Sequence, residues 1–126
     1  MKYHHIGIPT DRPREGEVFL EQFKMHVVGF EHSDFGVEWL RFEADSPLPD
    51  LVKQVPHVAF VVENLCAALQ GRHVLIEPNS PSPGVEVAFV VENGAPVELM
   101  AFDSPDHPLN VSPCFDRPPE GEEIAC

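Results

Sequence analysis

Residues 94–102 read GAPVELMAF, a turn signal followed by a short strand with a glutamate in its middle. Successive side chains of a strand alternate faces, so Glu98 shares its face with Met100 and Phe102, while Val97, Leu99 and Ala101 take the other. Neither face is polar. A lone carboxylate among such neighbours loses its hydration, and the escapes are protonation, an ion pair or a bound metal.

The pattern occurs twice. VEWLRF at 37–42 matches VELMAF at 97–102, and each is followed within a few residues by Ser-Pro. Upstream, HIGI at 5–8 matches HVAF at 57–60, each opening a strand. Such an internal repeat divides the chain into a first module at about 1–50 and a second at about 51–103, with a tail at 104–126. Together they are expected to form one domain over 1–126. Each module offers one histidine and one glutamate: His5 with Glu38, and His57 with Glu98.

Between these anchors the expected elements differ. In DRPREGEVFLEQFKMHV, residues 11–27, Pro13 suits a first helical turn, and Phe19, Leu20, Phe23 and Val27 form an apolar stripe of helical period. A helix is expected there. Strand material follows, broken at Gly36 and stopped at Ser46 and Pro47. In the second module, VPHVAFVV is a strand and ENLCAALQGR a short helix, capped by Asn64 and closed at Gly71. Three strand-like runs then lead through HVLIEPNSP, GVEVAFVVENG and APVELMAF, with ENGAP as a tight connection and PNSPSPG, residues 78–84, as a plain connector. The first module has room for about one strand fewer than the second, at about five residues per strand. The tail is rich in proline and acid, without period, and is expected to be extended.

Composition narrows the function classes. With 43% apolar residues the chain can bury a core, and 8 Lys and Arg against 21 Asp and Glu give a formal charge of -13. That balance opposes a phosphate-binding surface, so nucleic acid is not an expected partner. The start MKYHHIGIPT has no apolar core of signal-peptide length, and no apolar run approaches a membrane span, so the expected location is cytoplasmic with no membrane partner. Cys66, Cys114 and Cys126 are far apart, without a C-x-x-C pair, and are expected as free thiols, Cys66 packed in its helix. No Gly-rich phosphate loop, G-x-S-x-G elbow or Cys-His nucleophile pair is present.

Alternation places His5 on the face of Gly7 and His57 on that of Ala59, small neighbours that leave room. Glu38 shares its face with Leu40 and Phe42. Convergence of the four would set two neutral imidazoles and two carboxylates around one point, whose charge cancels that of one divalent cation. The plainer account gives each glutamate an arginine partner, with Arg41 and Arg72 as candidates, and each histidine a structural role. His4 alternates away from His5 and is expected in packing; His26, His32, His73 and His107 fall near element ends and suit the surface. Trp39 alternates away from Glu38 and suits the core.

The paired β-α-β-β-β order, with HIGI and HVAF opening the halves and VEWL and VELM closing them, resembles the vicinal oxygen chelate superfamily, which includes glyoxalase I. The resemblance extends to about Phe102 and rests on the order and duplication of short motifs. It implies an α+β fold in which two modules, the first shortened, form a cupped, incomplete β-barrel with helices outside. It also implies a metal held by one residue from the first and one from the last strand of each module. Carried over, these are His5, Glu38, His57 and Glu98, with Glu43 the substitute for Glu38.

The implied cofactor is one divalent metal ion, zinc or nickel in first place, iron or manganese behind them. Such an ion with open positions holds two neighbouring substrate oxygens and acts as a Lewis acid. Glu98 or Glu38, loosened from it, would move a proton next to a carbonyl of a small-molecule substrate, which is lyase or isomerase chemistry like that of glyoxalase I. A second reading uses two histidines and one glutamate for ferrous iron and ring-cleaving dioxygenase chemistry, with Glu38 surplus. A third is a non-catalytic binder of the bleomycin-resistance kind. Family habit implies a homodimer.

Overall fold

The computed structural model of the chain describes residues 1–110. Eight strands form one mixed sheet: β1 (Lys2–Pro9), β2 (Val18–Leu20), β3 (Met25–Val28), β4 (Val37–Phe42), β5 (His57–Val61), β6 (His73–Ser82), β7 (Val85–Glu92) and β8 (Ala95–Phe102). Their order is β2-β3-β4-β1-β5-β8-β7-β6. The sheet curls into a half-barrel, as the resemblance implies. Cys114, Cys126 and the rest of the expected tail from residue 111 on lie outside the described residues.

The duplication is visible in the register. β1 and β5 run antiparallel side by side at the centre of the sheet, with Ile6 opposite Val58. Each is flanked on its far side by the last strand of its own module, in parallel: Gly7 pairs with Glu38, and Ala59 with Glu98. Two residues after its histidine, each first strand therefore meets its own glutamate. Parallel neighbours need a crossover, and each module supplies one.

The crossovers differ from the expectation in the first module. Residues 11–27 hold no helix; they form β2, a single 3-10 turn at Glu21–Phe23, and β3. The apolar residues there obey a period of two across each strand. Leu20, Met25 and Val27 face the concave side, and Lys24, in the left-handed region at φ 48°, turns the chain between the strands. Both modules thus have four strands, and the first is shorter because it has no helix in its crossover.

In the second module α2 (Leu65–Ala68) is present, and the Asn64 side chain accepts a hydrogen bond from the Ala67 N–H as a cap should. It covers the convex face, where Val62, Leu65, Ala88, Val90 and Leu99 form the outer core. Truncating a buried leucine such as Leu99 to alanine costs about 2–5 kcal/mol. A second short helix, α1 (Asp50–Gln54), links the modules and turns the buried Val52 toward the cup. Cys66 is exposed on α2 instead of packed, because the helix is a single turn and buries Leu65.

The stretch 78–84 is not a plain connector either. Residues 78–82 continue β6, which tolerates Pro78 and Pro81 because it is an edge strand whose pairing to β7 is interrupted by three register shifts. ENGAP is the tight turn expected, with Asn93 and Gly94 at φ 51° and 80°, the paired left-handed geometry of a two-residue hairpin. Across the mouth of the cup, the two ends of the sheet approach each other where Gln22 Nε2 donates to the Pro81 carbonyl at 3.2 Å.

Candidate metal centre

Glu98 answers the question its sequence poses by facing the concave side. Met100 beside it joins Ala59, Val85 and Val87 in a second core cluster, while Leu99 lies under α2. The cup is a cavity of about 310 Å³ walled by apolar side chains from both modules, Leu20, Met25, Leu40, Val87 and Phe89 among them. His5, His57, Glu38 and Glu98 all line it.

Three of these four meet at one point. His57 Nε2 lies 3.0 Å and His5 Nε2 3.2 Å from the same oxygen, Glu98 Oε1. The two imidazoles stand edge to face with ring centres 5.4 Å apart. His5, His57 and Glu98 are buried and present ligand atoms within 4.8 Å of one another, so the cluster could hold a metal ion. Glu38 stands one step out, its Oε1 3.9 Å from His5 Nε2, with its side chain 22% exposed to the cup.

The spacing fits a cation. Two ligands each about 2.1 Å from one ion, at tetrahedral or octahedral angles, stand roughly 3.0–3.4 Å apart. The two nitrogen–oxygen distances fall in that range. His57 Nδ1, on the side of the ring away from Glu98, is buried with no hydrogen-bond partner among the described residues. Neither arginine takes the cation's place. Arg41 makes a two-pronged pair with Glu17 at 2.7 and 2.9 Å, and Arg72 lies 3.7 Å from Glu92. Glu43 bonds His26 at 2.8 Å, away from the cup, and is no substitute for Glu38.

Electrostatics separate the two glutamates. Burial opposes ionisation of Glu98, but hydrogen bonds from His5 and His57 outweigh it and hold its carboxyl well below the usual range. Burial likewise opposes charge on His5, yet the Glu98 hydrogen bond and the charges of Glu98 and Glu38 raise its pKa. Among the described residues Glu38 has no such hydrogen-bond donors. Burial pushes it up to about 7, with the attraction of His5 offsetting only part of that and repulsion from Glu98 and Glu31 adding to it. One carboxylate is fixed in its charged form; the other is poised to exchange a proton near neutral pH.

His4 departs from the expectation. The β1–β5 register runs from Tyr3 opposite Phe60 to His5 opposite Ala59, so His4 is an extra residue, a bulge that breaks the alternation. Its ring turns into the cup beside that of His5, 3% exposed, and stacks on Phe30 with centres 4.7 Å apart. The consecutive histidines were the one signal in the sequence; the bulge was not legible. Burial pushes the His4 pKa down to about 4. Leu109 and Asn79 also line the cup without having been singled out, and Asn79 Oδ1 is buried with no partner among the described residues. Trp39, on the face away from Glu38 as expected, is half-buried beneath the Arg14 guanidinium at 4.0 Å. His32 and His73 are at the surface, and His107 bonds the Pro83 carbonyl at 2.8 Å.

No family model matches the chain, and no curated protein does. Among solved structures, the chain is similar to the crystal structure of the hypothetical protein BH1468 from Bacillus halodurans C-125, at 19% identity and a TM-score of 0.63. The match covers 82% of this chain and 95% of that one. At that identity the likeness is one of fold. The curled half-barrel with its His/Glu cluster is compatible with a vicinal oxygen chelate fold. No helix among the described residues is long and apolar enough to cross a membrane.

Proposed function

We propose that the protein is a metal-dependent lyase or isomerase of the glyoxalase kind, acting by proton transfer next to a carbonyl of a small substrate. His5, His57 and Glu98 are the ligands in this reading, and zinc or nickel suits two imidazoles and a carboxylate. The bound ion supplies Lewis-acid polarisation of the carbonyl. The observation that carries the reading is geometric: Glu98 Oε1 lies 3.0 and 3.2 Å from a nitrogen of His57 and of His5, and Glu38 stands one step out, 3.9 Å from His5 and open to the cup.

Glu38 is the proton carrier. It is the carboxyl that lines the cup beside the cluster without being part of it, which suits a group that exchanges protons with a seated substrate. Its carboxylate oxygen takes the proton from the carbon next to the carbonyl and returns it to the neighbouring carbon, regenerating the carboxylate. The apolar walls seat the body of the substrate and exclude water, and Asn79 Oδ1 accepts from a substrate hydroxyl or N–H. The zinc-loaded protein in D2O, given 2-hydroxyacetophenone, is expected to catalyse deuterium uptake at the carbon between the carbonyl and the hydroxyl. Glu38→Gln is expected to abolish that uptake while keeping the metal. No uptake by the wild type, or full uptake by the variant, overturns the assignment.

One observation favours a second reading. The tight cluster is two histidines and one carboxylate, the set used for ferrous iron, with Glu38 standing apart. Oxygen consumption by the iron-loaded protein with 4-methylcatechol would favour ring-cleaving dioxygenase chemistry.

A further inference from the structure

The bulge at the start of β1 does more than fit an extra residue into a strand. It sets the rings of His4 and His5 edge to face, 5.0 Å between centres, with His4 Nδ1 2.7 Å from His5 Nδ1. On its far side, His4 Nε2 bonds the backbone carbonyl of Leu109 at 2.5 Å, in the segment that follows β8. The four groups form one line of contacts, from a carbonyl through two imidazoles to the oxygen of Glu98.

Chemistry orients that line. A carbonyl only accepts, so His4 Nε2 carries the hydrogen and donates. The other nitrogen of a neutral imidazole has only its lone pair, so His4 Nδ1 accepts and His5 Nδ1 donates to it. With Nδ1 committed to His4, His5 Nε2, 3.2 Å from Glu98, is then the nitrogen at which a cation replaces the proton that otherwise bonds Glu98. The reverse order fails at its first link, because it would set a lone pair against the carbonyl oxygen. Phe30, stacked on His4 at an interplanar angle of 13° and edge-on to His5 at 76°, fixes both ring planes.

We infer that His4, anchored on the Leu109 carbonyl, is a positioning residue that fixes the tautomer and aim of His5 so that Nε2 is presented to the metal ion. This rests on the metal reading above and adds to it a third histidine and a backbone group 105 positions away in the chain. Outer partners of this kind raise ligand basicity, and their loss commonly costs about 10–100-fold in metal affinity. The chain through Leu109 also makes the segment after β8 part of the centre.

The test uses the full-length 15N-labelled protein loaded with zinc. Long-range 1H–15N spectra of the imidazoles are expected to show His5 protonated at Nδ1 and ligated through Nε2. His4→Phe keeps the ring that stacks on Phe30 and removes both nitrogens; its zinc affinity, read by competition with a chromophoric chelator, is expected to fall roughly 10–100-fold. His4→Asn places an acceptor oxygen about where Nδ1 stands and is expected to recover part of that loss. Zinc bound with His5 protonated at Nε2 overturns this inference alone, as does wild-type affinity in a folded His4→Phe variant. A wild type that takes up no zinc overturns the metal reading and this inference together. The wild-type spectrum decides even where a variant does not fold.

Discussion

Gly7 stands directly opposite His57 in the antiparallel pairing of β1 and β5, and the space left by its missing side chain is filled by the His57 imidazole. A Cβ at residue 7 would lie 2.8 Å from Nδ1 and 2.9 Å from Nε2 of that ring, closer than such contacts allow. The sequence suggests that Gly7 leaves room for its own neighbour, His5; the room serves the histidine of the other module. Gly7→Ala is therefore expected to displace His57, weakening zinc binding, and to cost about 1–3 kcal/mol in urea unfolding through overpacking. Unchanged zinc affinity in that variant would show that His57 does not need this seat.

Glu98 accepts from both histidines, so its loss removes the group that ties the modules together. Glu98→Gln keeps shape and size and deletes the charge. It is expected to reduce zinc affinity at least as severely as His4→Phe does, measured by chelator competition at pH 7.5. Arg41→Met, which breaks the pair with Glu17 away from the cup, is expected to leave zinc affinity unchanged.

Glu38 gives the metal-free protein a pH dependence of defined sign. Its pKa is about 7 folded against 4.5 for the free group, so between those values the native state holds a proton the unfolded chain has released. Stability contributed by this carboxyl is thus present below pH 4.5 and lost as pH rises through 7. Relative to Glu38→Gln, the metal-free wild type is expected to lose up to about 3 kcal/mol across that window in urea titrations. A difference that stays flat with pH would contradict the assignment of a raised pKa to Glu38.

His4 has the opposite sign. Lowered to about 4, it stays neutral in the native state while the unfolded chain takes up a proton below 6.5. Its contribution is present above pH 6.5 and fades as pH falls through 4, so replacement by Phe is expected to flatten the acid side of the metal-free stability profile. The same urea series at pH 4, 5 and 6 reads it; an acid limb as steep in the variant as in the wild type would assign it to other groups.

The duplication made most of this fold legible in the sequence. Because VEWLRF and VELMAF share a pattern, and HIGI and HVAF share another, the strands β1, β4, β5 and β8 and the inward direction of Glu38 and Glu98 follow from period-two alternation, while their order β4-β1-β5-β8 is set by tertiary pairing. What alternation could not supply lies where the backbone leaves ideal geometry. The bulge at His4 moves one side chain into the cup, and nothing in Lys2-Tyr3-His4-His5 marks it. The stripe Phe19, Leu20, Phe23 and Val27 satisfies a helical period by coincidence, since strands of three and four residues are too short to show their own. Lys24 in a left-handed turn, where glycine would have been the signal, hid the break between them. Pro78 and Pro81 argued for a connector because the edge position of β6 depends on its absent outer neighbour, a tertiary fact.

The central claim is that His5, His57 and Glu98 hold one metal ion, and the direct measurement is calorimetric titration of chelator-stripped full-length protein with zinc. The account predicts saturable binding of one ion per chain that is lost in His57→Ala and in Glu98→Gln. Absence of saturable binding in the wild type, or binding that survives both substitutions, would contradict it.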